Sequence, residues 1–162
     1  KMSLFQALSD DDKIAVSERV RLHHFTRGET IFHQGDSGTS LFVIVEGAVG
    51  LWLQFKDGKA IEAIRVGVGD CFGEIELLTK EARHATAIAA TDTALFEISA
   101  EILTPLLEQY PDLAEVLEQT MSVREKRIEE QIDLFQLEDI DQDAPNKHLL
   151  HKTQKILSGK KE

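Results

Sequence analysis

RGETIFHQGDSGTSLFVIVEGAVGLW, residues 27 to 52, decides the fold. Short apolar runs alternate with turn residues. The pair Ile31/Phe32 and the run LFVIV (41–45) are bounded by RGE (27–29), GDSG (35–38) and Glu46-Gly47, and VGLWLQF (49–55) follows directly. Runs this short, rich in β-branched and aromatic residues and punctuated by glycine and aspartate, read as strands joined by tight turns. The same pattern continues outward on both sides. Phe25 precedes it; AIEAIRV (60–66), ATAIA (85–89) and TALFEI (93–98) follow, with turns at KDGK (56–59) and GVGD (67–70). Nine of the ten glycines lie between Gly28 and Gly73, where turns need positive φ. Seven or eight short strands at such spacing predict a sandwich or barrel over about residues 21–98.

Helices flank this β-rich zone. Residues 3 to about 20 read as helical, and Ser9 followed by Asp12 is a plausible N-cap for a segment beginning at Asp10. Residues 98–109 predict a short helix that stops before Pro111, because the residue ahead of a proline avoids the α region. Pro111 suits the first turn of a longer helix. Leu113, Val116, Leu117, Thr120, Met121, Arg124, Ile128, Ile132 and Phe135 form one stripe along it. LEDIDQDAP (137–145) is an acidic linker, and NKHLLHKTQKILSGKK (146–161) is basic and amphipathic around Leu149, Leu150, Ile156 and Leu157. Two readings of that last segment stand, a docking helix and a frayed tail.

Composition removes several function classes. Eighteen Lys+Arg against 29 Asp+Glu, a net charge of −11, argue against a nucleic-acid partner. A small anion needs only one local positive site and stays allowed. The lone Cys71 has no disulfide partner, fits a reducing compartment, and beside Phe72 reads as a small strand residue. No run of 18 apolar residues predicts insertion of this chain into a membrane. The start KMSLFQALSDDDK lacks a secretory core, and its first lysine suggests an excised piece of something longer. His23 and His24 are neighbours that face opposite ways on a strand and His33 is isolated, so no metal site is expected. GxSxG, HExxH and a Cys/His pair are absent; no catalytic residue and no enzyme activity are expected.

The chemistry concentrates in CFGEIELLTKEARHATA, residues 71–87. Gly73, after Phe72, lets the chain turn sharply and approach a ligand. The N–H groups of Gly73, Glu74, Ile75 and Glu76 open a short helix whose unpaired donors favour an anion. Arg83 offers a planar guanidinium for a bidentate contact, and the small Ala85 lets its own N–H reach the same oxygen. Glu74 would repel a phosphate, but it can accept from a ribose hydroxyl.

FGEIELL…ARHAT (72–86) resembles the phosphate-binding cassette of the cyclic nucleotide-binding domain family, and residues 27–52 resemble that family's barrel signature. The resemblance covers about residues 3–135 and leaves 136–162 as the acidic linker and basic segment. It implies a mainly β fold, an eight-stranded antiparallel jelly-roll barrel with an N-terminal helix, a cassette helix and C-terminal lid helices over about 98–135. It implies that Glu74 accepts from the ribose 2′-OH, that Arg83 pairs with the cyclic phosphate, and that backbone N–H groups near Gly73, Glu76 and Ala85 complete the cradle. The ligand is cAMP by default, with cGMP open, and no metal.

Three positions depart from the family pattern. Glu76 replaces alanine; two positions apart on a helix diverge by roughly 200°, so if Glu74 faces the ligand Glu76 should face away. Ala82 replaces the usual proline. His84 replaces a small residue and is either a bystander or a pH-dependent contact to the phosphate. Arg124 or Arg127 on the lid helix is a candidate for touching the purine. The expected role is regulatory: closure hinged near Tyr110 and Pro111 would transmit binding to an attached channel or other effector, cytoplasmic or on the cytoplasmic face of a membrane, and homo-oligomeric in the parent protein. The alternative is an interaction scaffold that keeps the fold without the ligand. Twenty-seven residues after Phe135 are too few for a winged-helix domain.

Overall fold

A computed structural model describes residues 4–137. Helix α1 (Asp10–Ser17) starts where the capping chemistry places it: Ser9 is the N-cap and its hydroxyl accepts the Asp12 N–H at 3.2 Å. Eight strands follow: β1 (Arg21–Phe25), β2 (Thr30–Phe32), β3 (Ser40–Glu46), β4 (Ala48–Gln54), β5 (Ala60–Gly67), β6 (Cys71–Phe72), β7 (Thr86–Ala89) and β8 (Thr93–Ser99). A short helix, α2 (Glu74–Thr79), interrupts them between β6 and β7, and α3 (Ala100–Gln109) and α4 (Pro111–Leu137) come last.

The strands form two antiparallel four-stranded sheets, β1-β8-β3-β6 and β2-β7-β4-β5. Sequential strands fall in opposite sheets except in the β4–β5 hairpin, which is jelly-roll topology. The expected eight strands are present, but as two facing sheets rather than a closed barrel. Two of the four edge strands are short, β6 with two residues and β2 with three. β1 is longer than Phe25 alone suggested. Its polar RLHH run is held by pairing with β8 from Arg21↔Glu97 to Phe25↔Thr93 and by a 2.7 Å bond between His23 Nε2 and Glu97.

Two apolar clusters hold the molecule. One lies between the sheets and contains Phe42, Val49, Leu53, Phe72 and Leu95. The other packs β3 and β8 under the helices, with Leu8, Leu41, Ile98, Leu103, Leu113 and Leu117. The stripe on α4 serves both. Leu113 and Leu117 enter the second cluster, while Ile128, Ile132 and Phe135 reach into the first, Phe135 stacking on Phe55 at 4.7 Å. Burying a side chain such as Ile132 contributes about 1.5–3 kcal/mol. Helix α3 runs through Pro105; the carbonyl deprived of a donor is that of Glu101, and both residues are exposed to water.

The α3–α4 junction is tied to α1. Tyr110 ends α3 in a non-helical conformation (φ −120°, ψ 89°), and its hydroxyl donates to the Asp12 carboxylate and contacts Ser9 at 3.3 Å. Hydrogen bonds from the Tyr110 and Ser9 hydroxyls hold the Asp12 carboxyl below its usual range.

Candidate functional site

Gly73 ends the approach of β6 with φ +86°, a left-handed conformation natural only to glycine, and opens α2. Space excludes a side chain as well: a Cβ there would lie 2.7 Å from the Ser40 carbonyl oxygen and 2.8 Å from Arg83 Nη1. Arg83 lies across from it on the segment entering β7. Its backbone is pinned to the GDSG turn, Arg83 N donating to Asp36 O and Gly35 N to Arg83 O, both at 2.8 Å.

Arg83 is 4% exposed. Nη2 donates to Ser40 O at 3.0 Å; Nη1 donates to Gly73 O and to Glu76 Oε2, each at 3.3 Å. The guanidinium lies 4.3 Å from the Phe32 ring centroid, a cation–π contact. The other oxygen of Glu76 accepts from His84 N at 3.0 Å. One carboxylate therefore spans the Arg83 guanidinium and a main-chain N–H of the loop, the kind of donor pair the sequence offers to a phosphate.

This corrects the expected orientation of α2. The two glutamates do diverge, but it is Glu76 that turns to Arg83. Glu74, 1% exposed, faces the other way and is held by Arg124 of α4, Nη1 to Oε1 at 2.5 Å; Arg124 Nη2 donates to Cys71 O. Burial pushes the Glu74 carboxyl up, and Arg124 and the backbone oppose that. For Arg124 burial acts to lower the pKa, but Glu74, Cys71 and Asp70 together outweigh it, so the guanidinium stays charged. Burial, reinforced by Glu74, pushes the Cys71 thiol up to about 12.

The remaining expected residues are spread more widely. Phe72 is buried and stacks on Phe42 at 5.2 Å, flooring the site. Ile75 is half-buried in α2, and Ala85 packs against the inter-sheet core. The His84 ring meets Glu81 at 3.1 Å. Arg124 is spent on Glu74 rather than presented to a base. Arg127 is exposed and lines a groove of about 490 Å³ between α4 and β5 with Arg65, Asp70 and Gln119. Sequence reasoning missed Phe32, Gly38 and Ser40. The signal for Gly38 was its place in GDSG: a Cβ there would sit 2.8 Å from Arg83 Nε and Nη2. Among the described residues, no cluster of His, Cys, Asp and Glu could hold a metal ion, and no helix is long and apolar enough to cross a membrane.

The fold is a two-sheet jelly roll in which a glycine-led helix sets the Glu76 carboxylate on the buried Arg83. The family model for the cyclic nucleotide-binding domain matches residues 22–110, and the chain belongs to that family. It is 28% identical to the cyclic AMP receptor protein of Thermus thermophilus over 136 residues, 84% of this chain and 63% of the relative. It is 30% identical over 127 residues to a Rhodopseudomonas palustris protein named "Putative potassium channel protein", 78% of this chain and 30% of that one. Among solved structures, the Thermus thermophilus catabolite activator protein superposes with a TM-score of 0.69 at 27% identity, over 83% of this chain and 63% of that one. The chain thus spans less than two thirds of these relatives' lengths.

Proposed function

We propose that this chain is a regulatory module that takes a cyclic nucleotide, cAMP by default, against Arg83, and that Glu76 must leave Arg83 for the ligand to enter. The observation that carries the reading is the buried guanidinium, whose carboxylate partner bridges to His84 N and can be exchanged for another planar pair of oxygens. A cyclic phosphate would take both contacts, aided by the N–H groups at the start of α2. The family resemblance implies that Glu74 accepts from the ribose 2′-hydroxyl; from its present place against Arg124, one of its oxygens would have to turn toward the ligand as the ligand enters.

Ile128, Ile132 and Phe135 of α4 pack against the inter-sheet cluster, so a purine entering there displaces the last turns of this helix. Ligand and packed helix then compete for one space, and binding shifts α4 by its differential affinity for the two arrangements. The pivot is Tyr110-Pro111. The output would pass to an effector such as a channel, in the parent polypeptide or a partner. A second reading follows from the same carboxylate: if Glu76 never yields, the module is a scaffold without a nucleotide.

Titration calorimetry with cAMP and cGMP separates the two. Binding that is lost in Arg83→Ala and strengthened in Glu76→Ala supports the nucleotide module; absence of heat with either ligand in both wild type and Glu76→Ala leaves the scaffold.

A further inference from the structure

The basic segment 146–161 has no role in the nucleotide site, and α1 carries a feature that suits it. α1 and the turn before it form an apolar groove against β8, about 180 Å³ in volume, lined by Phe5, Leu8, Val16, Val20, Phe96 and Ile98. Leu22 pairs with Phe96 across β1 and β8, so it stands on the same face, and it is half exposed. The helix forming the groove is acidic: Asp10, Asp11 and Asp12 fill its first turn, with Glu18 just beyond its end. Lys13 also lines the groove and is drawn 3.9 Å from Asp10.

We propose that the groove is the docking site of this chain's own residues 146–161. The segment carries Lys147, Lys152, Lys155, Lys160 and Lys161 and no acidic residue, in a protein of net charge −11. On a helix, Leu149 and Leu150 recur one heptad later as Ile156 and Leu157, a single apolar edge of the kind that lies in grooves. Its lysines then face the α1 aspartates while its leucines fill the groove.

The connection is long enough. α4 begins beside Tyr110, which is bonded to α1, and its 27 residues extend about 40 Å at 1.5 Å each. The twelve residues from Leu137 to Leu149 span about 40 Å when extended. The segment can therefore return along α4 to the helix where that element is anchored. Docked there, it would tie the far end of α4 to its pivot. This proposal stands apart from the nucleotide reading, since neither Arg83 nor Glu76 takes part in it.

A paramagnetic label tests it in the full chain. In Ser158→Cys the new thiol is the reactive one, because Cys71 is buried. The amides of Leu8, Val16 and Phe96 should lose about half or more of their intensity from a nearby label, and raising the salt concentration should restore part of it. Adding Leu150→Asp and Leu157→Asp to the labelled chain should restore it fully, without disturbing the signals of the jelly-roll core. Broadening confined to residues near 158, or centred on another face, overturns the proposal. So does broadening that appears on isotope-labelled wild type mixed with spin-labelled chains, since the occupant would then be a second copy.

Discussion

Replacing Glu76 by glutamine removes one charge and almost no volume, and the structure sets two linked magnitudes. In the free protein Arg83 loses the Glu76 carboxylate while remaining 4% exposed. Removing one partner of a buried ion pair costs about 3–5 kcal/mol. The Gly73 and Ser40 carbonyls and the Phe32 ring remain, so the low end of that range applies, about 3 kcal/mol. For a chain of this size each kcal/mol moves the melting temperature by about 2–4 °C, giving a fall of about 6–12 °C without ligand. Ligand binding should change the other way. Releasing a charge-assisted bond to Arg83 is a cost of about 1.5–3 kcal/mol that wild type bears on binding and Glu76→Gln does not. The affinity for cAMP should therefore rise by about ten- to a hundredfold. Thermal denaturation with and without saturating cAMP, together with titration calorimetry, reads both quantities. A Glu76→Gln protein as stable as wild type and no tighter for cAMP would refute the reasoning, because Glu76 would then not be neutralising Arg83.

Three further outcomes follow from the same geometry. Gly38→Ala should destabilise by about 1–3 kcal/mol, as a Cβ 2.8 Å from Arg83 displaces the guanidinium from Ser40 and Phe32; a denaturant titration measures it. Arg124→Ala should cost about 3–5 kcal/mol and loosen amide exchange protection in the second half of α4, because Glu74 is left buried without its cation; Glu74→Gln combined with Arg124→Met should be much milder. Cys71, pushed up to about 12, contributes a buried neutral thiol whose stabilisation is complete below the ordinary thiol value of 9.0 and is lost as pH rises toward the folded value. Thiol reagent at pH 8 should thus react only as fast as the protein unfolds, and rapid reaction in native buffer would contradict the burial.

What could be read in advance depended on how local its cause was. The Ser9 cap and the start of α4 at Pro111 arise within one turn of chain, and both were legible. The strand pattern survived for β3, β4, β5 and β8 because each alternates or fills an apolar face. β1 was legible only at Phe25, since RLHH is mostly polar and owes its extended form to β8, its partners lying 70 to 76 residues away. The orientation of α2 was the main failure. Helical periodicity fixes the angle between Glu74 and Glu76, but the absolute phase comes from Arg124, which takes Glu74 from 50 residues further along. The stripe correctly placed Arg124 on the buried face of α4; nothing in the spacing distinguishes an arginine that meets a base from one that meets a carboxylate. Ser40 acts through its carbonyl oxygen, which every residue carries, and so left no trace in residue type.

The clasp between Tyr110 and Asp12 has an optical consequence. The chain contains one tyrosine and one tryptophan. Trp52 is half-buried on β4 in the sheet, whereas Tyr110 sits at the α3–α4 junction with its hydroxyl on a carboxylate. A phenol hydrogen-bonded to a carboxylate loses emission to excited-state proton transfer, so Tyr110 emission should be low while its hydroxyl stays on Asp12. Any opening there should brighten it at the tyrosine wavelength, with Trp52 as the internal reference. The native chain thus carries its own unlabelled fluorescent report on the contact between Tyr110 and Asp12.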